Sequence, residues 1–119
     1  MNIDLQMLAV PFVKAFYSEV ISSPKRLAGL YVDESVCFSD GKLFKGGNEI
    51  VQGSAWRSQF DHQVRTSNVL PCGDNVLIVV IGEVDGQALE KKCCFYETFS
   101  LMLRDGNRVC VSHQSCVFG

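Results

Sequence analysis

No run of apolar residues in this chain approaches the roughly 18 to 20 that a membrane-spanning helix needs, so no membrane partner is expected. The opening "MNIDLQMLAV" carries an acid where a secretory leader needs positive charge, which leaves cytoplasm and nucleus as the expected compartments. Basic charge is scarce: the net charge is −2 and the pI is about 5.6. The dense basic pairs, Lys25-Arg26 and Lys91-Lys92, are too short to grip a phosphate backbone, so direct nucleic-acid binding is not expected. Six cysteines are present (Cys37, Cys72, Cys93, Cys94, Cys110 and Cys116), but none forms a C-x-x-C pair. Neither His62 nor His113 stands at zinc-finger spacing from them, and no metal is expected. In a reducing compartment these cysteines read as small buried hydrophobes. The glycines of "KGGNEI" lack both P-loop and dinucleotide-binding spacing, so no cofactor is expected either.

What is present describes a packed domain. Apolar residues make up 47% of the 119 and charged residues 20%, and a chain of this length buries roughly two thirds of its unfolded surface. A single domain spanning 1–119 is expected. Residues 4–22 place Leu5, Leu8, Ala9, Phe12, Val13, Phe16 and Val20 at helical spacing, giving one core-facing stripe. Pro11 should kink that helix or mark its true start. "SSP" ends it, and "PKRLAGLY" reads as a second, short helix capped by Ser23.

From residue 33 the period becomes that of strands. "SVCFS" and "KLFKG" flank the "DG" at 40 and 41, a hairpin signal. "GGNEIVQGSAWR" predicts a third helix of about two turns, capped at Asn48. Strands are expected at 60–70, 76–84, 90–104 and 108–118, with a hairpin at "DGN". "VLIVVIGEV" is an uninterrupted apolar run, the pattern of a strand buried on both faces. On the strand at 90–104, Phe95, Glu97, Phe99, Leu101 and Leu103 are expected to share one face, with Cys94, Tyr96, Thr98, Ser100 and Met102 on the other. Helices segregated from a meander of strands argue for an α+β fold, with three helices of the N-terminal half packed across one concave face of a strongly bent antiparallel sheet.

In order and spacing, "FVKAFY", "LAGLYVDESV", "FKGGNEIV", "VLIVVIGEV", "ETFSLMLRDG" and the final Phe-Gly resemble the nuclear transport factor 2-like family over nearly the whole chain. The resemblance implies a cone that dimerises through the outer face of its sheet. For the transport-factor type it also implies a non-catalytic factor at the nuclear pore that binds FG-repeat nucleoporins and the GTPase Ran in its GDP form. The small subunit of a heterodimeric mRNA export receptor is a second member type, so the dimer is expected to be either a homodimer or a same-fold heterodimer. Stress-granule relatives continue into RNA-binding segments, whereas this chain closes at Phe118-Gly119. Enzymes of the same fold, isomerases and dehydratases, make a third type. Fold alone does not choose between them.

The resemblance places the partner surface on the cone rim. In the transport factor a Trp-Glu pair occupies the position of Ser39-Asp40; here the aromatic is missing and the acid is shorter. An acidic hairpin of that protein reads "DGQALEKK" here, leaving Asp85 and Glu90. Ser39, Asp40, Asp85 and Glu90 are therefore the expected rim contacts, with Trp56 as a further partner contact because tryptophan is enriched at binding hot spots. Tyr96, Thr98 and Met102 are the expected dimer-face residues. An enzyme would instead need an acid or base in the hollow. Glu97, Asp40, His62 and His113 are its candidates, with Tyr17 or Tyr31 as hydrogen-bond donors. The expectation for Glu97 is an outward position paired with Arg65 or a lysine, for His62 a solvated strand end, and hence no catalytic residue.

Overall fold

The computed structural model describes residues 5–53, 60–85, 93–104 and 107–118. Helix α1, Leu5–Ser22, buries Ala9, Phe12, Phe16 and Val20, spaced three or four residues apart on one stripe. Pro11 lies within this helix on its exposed side and does not mark its start. The segment Pro24–Leu30 is a 3-10 helix. Ser23 does not cap it through its side chain as expected; its backbone carbonyl accepts the Arg26 N–H at 2.9 Å instead. Helix α2, Gly47–Gly53, begins one residue before the expected cap Asn48. The Gly46 carbonyl opens it by accepting the Ile50 N–H at 3.0 Å, and Glu49 reaches back to the Lys45 N–H at 3.2 Å.

Six strands follow the expected order: β1 Tyr31–Ser39, β2 Lys42–Lys45, β3 Asp61–Cys72, β4 Asn75–Asp85, β5 Cys93–Arg104 and β6 Asn107–Phe118. They form one sheet in the order β2-β1-β6-β5-β4-β3. Four ladders are antiparallel, and β1 pairs with β6 in parallel. The sheet is thus mixed where an antiparallel one was expected. Its first and last strands are distant in sequence, so no tight turn has to connect them. Asp40 and Gly41 turn the β1–β2 hairpin with φ of 47° and 87°, the two positive values of a type I′ turn.

The bend of the sheet comes from broken register. β1 carries three extra residues between the pairs Tyr31–Cys110 and Val36–Ser112. Ser35 holds this irregularity from inside: its hydroxyl donates to the Cys110 carbonyl at 2.7 Å and accepts the Val32 N–H at 2.8 Å. Ser35 is fully buried, so Ser35→Ala leaves an N–H and a carbonyl without partners. A loss of about 1–3 kcal/mol is expected, read as a lowered urea midpoint at unchanged slope. A second break lies between Val64 and Thr66 of β3, beside Gly82 of β4. A Cβ on Gly82 would sit 2.1 Å from the Gln63 carbonyl oxygen and 2.6 Å from the Phe95 ring, so only glycine fits this close approach.

Alternation separates the two sheet faces. The inner face, under α1, buries Val76, Ile78, Val80 and Val84 of β4 and Phe95, Phe99 and Leu101 of β5. The outer face of β4 is left half-buried or exposed, with Ile81 at 44%. The expectation that this strand is buried on both faces therefore fails within one chain. The cysteines also depart from expectation: only Cys37 and Cys110 are buried, while Cys72 and Cys94 are exposed. Burial pushes the Cys110 thiol well above its ordinary range, which makes it unreactive.

Candidate functional site

Glu97 is the centre of the inner face. It is fully buried and points inward with its strand neighbours Phe95 and Phe99, not outward to Arg65 as expected. Arg65 bonds Glu83 at 2.9 Å on the surface instead. The physical reason is the balance of the two β5 faces: the face holding three large apolar side chains buries more surface than the one holding Tyr96, Thr98 and Ser100. Glu97 is carried inside with it, and a carboxylate taken out of water must be paired.

Three elements supply the partners. Tyr17 of α1 donates its hydroxyl to Glu97 Oε1 at 2.7 Å. His113 of β6 places Nε2 2.5 Å from Glu97 Oε2, with side-chain exposures of 1% and 0%. Tyr31 of β1 lies with its hydroxyl 3.0 Å from His113 Nδ1. One proton assignment gives every group a partner: Tyr31 O–H donates to Nδ1, Nε2–H donates to Oε2, and Tyr17 O–H donates to Oε1.

Aromatic rings close over this network. Phe99 stacks on the His113 imidazole at 4.4 Å, and Phe16 meets it edge-on at 5.5 Å. Phe12 packs edge-on against Phe99 at 5.2 Å. His62, expected at a solvated strand end, is half-buried, its ring 5.3 Å from Phe95 and 5.9 Å from Tyr17. Chemically, Glu97 and His113 form an acid–base pair with hydroxyl donors at both ends. Physically the pair is enclosed, and each of its functional atoms is occupied by another protein group.

The expected rim residues are brought together only in part. Ser39 is buried, at 6% exposure, and lines a cavity of about 420 Å³ with Asp40, Lys42, Phe44 and Gly53. Asp40 is exposed but structurally engaged. Its carboxylate accepts the Val117 N–H at 3.0 Å and its own N–H donates to the Ser115 carbonyl at 3.0 Å, pinning the hairpin to β6. Asp85 ends β4 at the same end of the sheet, with β5 and β6 between it and β1. Three strand spacings, roughly 14 Å, therefore lie between their strands, and Asp85 also stands beyond the level of Ser39, which the ladders match to Val80. Trp56 and Glu90 lie outside the described residues. Tyr96, Thr98 and Met102 are half-buried on the outer face, with Thr98 opposite Val79 and Gln114.

Sequence reasoning named Glu97, His113, Tyr17 and Tyr31 as candidates for one hollow but set them aside by placing Glu97 outward. The available signal was the excess of large apolar groups on the Phe95–Glu97–Phe99 face, which required that face to be inside.

A bent sheet wrapped on helices is the nuclear transport factor 2-like fold, and the chain has it. Its structure is similar to nuclear transport factor 2 (Ntf2) from Cryptosporidium parvum, at a TM-score of 0.85, 20% identity and 98% coverage of both chains. It is also similar to the yeast Ubp3-associated protein Bre5 (0.87, 15%, 99% of both). A putative dehydratase of the same fold from Streptomyces avermitilis scores 0.77 at 14% identity, covering 95% of this chain and 94% of that one. No protein-family model matches the chain, and no curated protein matches its sequence.

Proposed function

We propose that the chain is a non-catalytic nucleocytoplasmic transport factor that works by protein contact, at the nuclear pore and in the cytoplasm and nucleus it connects. It pairs through its outer sheet face with a second chain of the same fold, binds FG-repeat nucleoporins, and engages a transport partner at the cone rim. The observation that carries this reading is the contrast between the two sheet faces. The inner face is closed over a saturated Glu97–His113 pair. The outer face leaves Phe38 at 47%, Leu43 at 61%, Leu70 at 50% and Ile81 at 44% exposure. The run Val76–Val84 has the composition of a strand covered twice, and the single chain covers it once; a protein partner supplies the second cover.

Similarity in fold to Ntf2 supports the Ran-GDP import type, and the cavity beside Ser39 and Phe44 offers a partner side chain an apolar wall. Lys42 in that cavity and the engagement of Asp40 by β6 weaken the site for a basic partner. The export-receptor small subunit is the alternative within this class, differing only in the chain that covers the sheet. The test is binding of purified protein to Ran-GDP and to FG-repeat chains. A chain with several Phe-Gly repeats is expected to bind roughly 10²-fold or more tighter than a single-repeat peptide, because a paired factor engages it more than once.

The enclosed acid–base pair favours a second reading, a small-molecule isomerase or dehydratase whose cone opens to substrate. That reading predicts deuterium exchange at carbons next to a ketone, catalysed by the wild-type chain and lost in Glu97→Gln. Such exchange, together with no binding of FG repeats or Ran-GDP, would overturn the transport reading.

A further inference from the structure

We propose that Ser23 is a phosphorylation site, the acceptor for a protein kinase that takes proline directly after the serine and a basic residue two places beyond that proline. The sequence around it reads Ser22-Ser23-Pro24-Lys25-Arg26. The chain has three prolines, and those at 11 and 71 follow Val10 and Leu70, so Ser23-Pro24 is the one place where a hydroxyl residue precedes proline. A kinase with this preference seats the residue after the acceptor in an apolar pocket that offers an N–H no partner. Proline brings no N–H to leave unsatisfied there. The basic residue farther on is drawn to an anionic group beside the kinase's active site, the kind of charge pattern by which kinases choose substrates.

The fold leaves this acceptor unused. Ser23 is the single residue between α1 and the 3-10 helix Pro24–Leu30, and its φ of −151° and ψ of 70° are not helical. Its side chain makes no capping bond, because the Arg26 N–H that such a cap would take already donates to the Ser23 carbonyl at 2.9 Å. Ser22 is the contrasting case: its hydroxyl donates to the Ser18 carbonyl at 2.9 Å within α1, and serine follows it in place of proline. Ser23 is half-buried between exposed Ser22 and exposed Lys25 and Arg26. Neither basic side chain is bound to a carboxylate among the described residues. Leu27, at 3% exposure, anchors the segment to the core directly after the motif. The joint therefore opens by breaking the Arg26 bond, a 3-10 turn whose hydrogen-bond geometry is poorer than that of an α-helix.

In the transfer, Ser23 Oγ bonds the γ-phosphorus of a nucleoside triphosphate and the bond from that phosphorus to the β–γ bridging oxygen breaks. The nucleoside diphosphate leaves, and the hydroxyl proton passes to the kinase's base. The product carries a charge of about −1.5 to −2 beside Lys25 and Arg26. It offsets the positive charge of that pair, one of the dense basic pairs in the chain, and so turns a basic patch into a neutral one bearing strong acceptor oxygens.

The test is incubation of the whole folded chain with ATP and a purified cyclin-dependent kinase, the phosphate being located by peptide mass spectrometry. Wild type is expected to gain one phosphoryl group on Ser23. Ser23→Ala is expected to gain none there, with its far-ultraviolet circular dichroism unchanged because the hydroxyl caps nothing. Pro24→Ala and Arg26→Gln are each expected to slow the transfer at least about tenfold. Arg26→Gln keeps the backbone N–H that closes the turn, so its effect reports recognition by the kinase and not a change of fold. Phosphate on Ser22 or elsewhere in place of Ser23, or transfer to Ser23 that ignores both substitutions, overturns the proposal. A folded chain left unmodified overturns it too, whether or not a peptide of residues 18–30 accepts phosphate.

Discussion

Glu97→Ala is expected to destabilise the protein by about 3–5 kcal/mol, the cost of leaving two buried donors without their acceptor. The substitution removes the acceptor for both the Tyr17 hydroxyl at 2.7 Å and His113 Nε2 at 2.5 Å. These donors come from α1 and β6, and water does not reach them when the network is closed: the His113 side chain is 1% exposed. The midpoint of thermal unfolding should fall by roughly 10–20 °C at fixed protein concentration. A control separates the worth of the pair from the damage of halving it. Glu97→Leu combined with His113→Phe removes both members for apolar groups, and such replacements are often neutral or stabilising. The double variant is expected to recover most of the loss, retaining about 1–3 kcal/mol for the acceptors it takes from the Tyr17 and Tyr31 hydroxyls. If Glu97→Ala costs under about 1 kcal/mol, solvent reaches the carboxylate and the hollow is not closed.

Phe99→Ala is expected to have an effect of similar size, about 3–5 kcal/mol, for a different reason. The ring is fully buried and touches Phe12 at 5.2 Å, Phe16 at 4.9 Å and His113 at 4.4 Å. Its removal leaves an apolar void directly over the imidazole. Cavities of this kind stay dry and take up small aromatic molecules, so added benzene should raise the unfolding temperature of the variant and leave that of wild type unchanged. The pair of results bears on function. A hollow that accepts a ligand only after a core ring is deleted is not a substrate site, whereas a wild-type response to benzene would support the isomerase or dehydratase reading.

Much of the framework was legible because it rests on local chemistry. The stripe Ala9, Phe12, Phe16 and Val20, the Asp40-Gly41 turn and the alternation along β5 are each written within a few neighbouring residues. The parallel pairing of β1 with β6 was not, since nothing near residue 36 specifies a partner near residue 112.

The site was missed for the same kind of reason. Glu97 finds its partners 16 and 80 residues away. Its contact with His113 also depends on one irregularity. β6 carries an extra residue, Val111, between the pairs Leu101–Cys110 and Ser100–Ser112. Continued without that insertion, the register from Arg104–Asn107 would set His113 opposite Thr98 on the outer face. One inserted residue turns every later side chain to the other side, and so carries His113 to Glu97. A reading that followed strict alternation through Val111 had no signal for this. The apolar run in β4 was read as a strand buried on both faces, whereas the chain buries its inner side chains and leaves Ile81 at 44% exposure on the outer face.

Hydroxyl-radical footprinting of the native protein across a dilution series tests the central claim most directly, because it reports side-chain exposure on both faces at once. The account predicts that Phe38, Leu43, Leu70 and Ile81 are protected at high concentration and become reactive on dilution, while His113 and Phe99 stay protected throughout. Outer-face residues equally reactive at every concentration, or a His113 that reacts as freely as an exposed histidine, would contradict it.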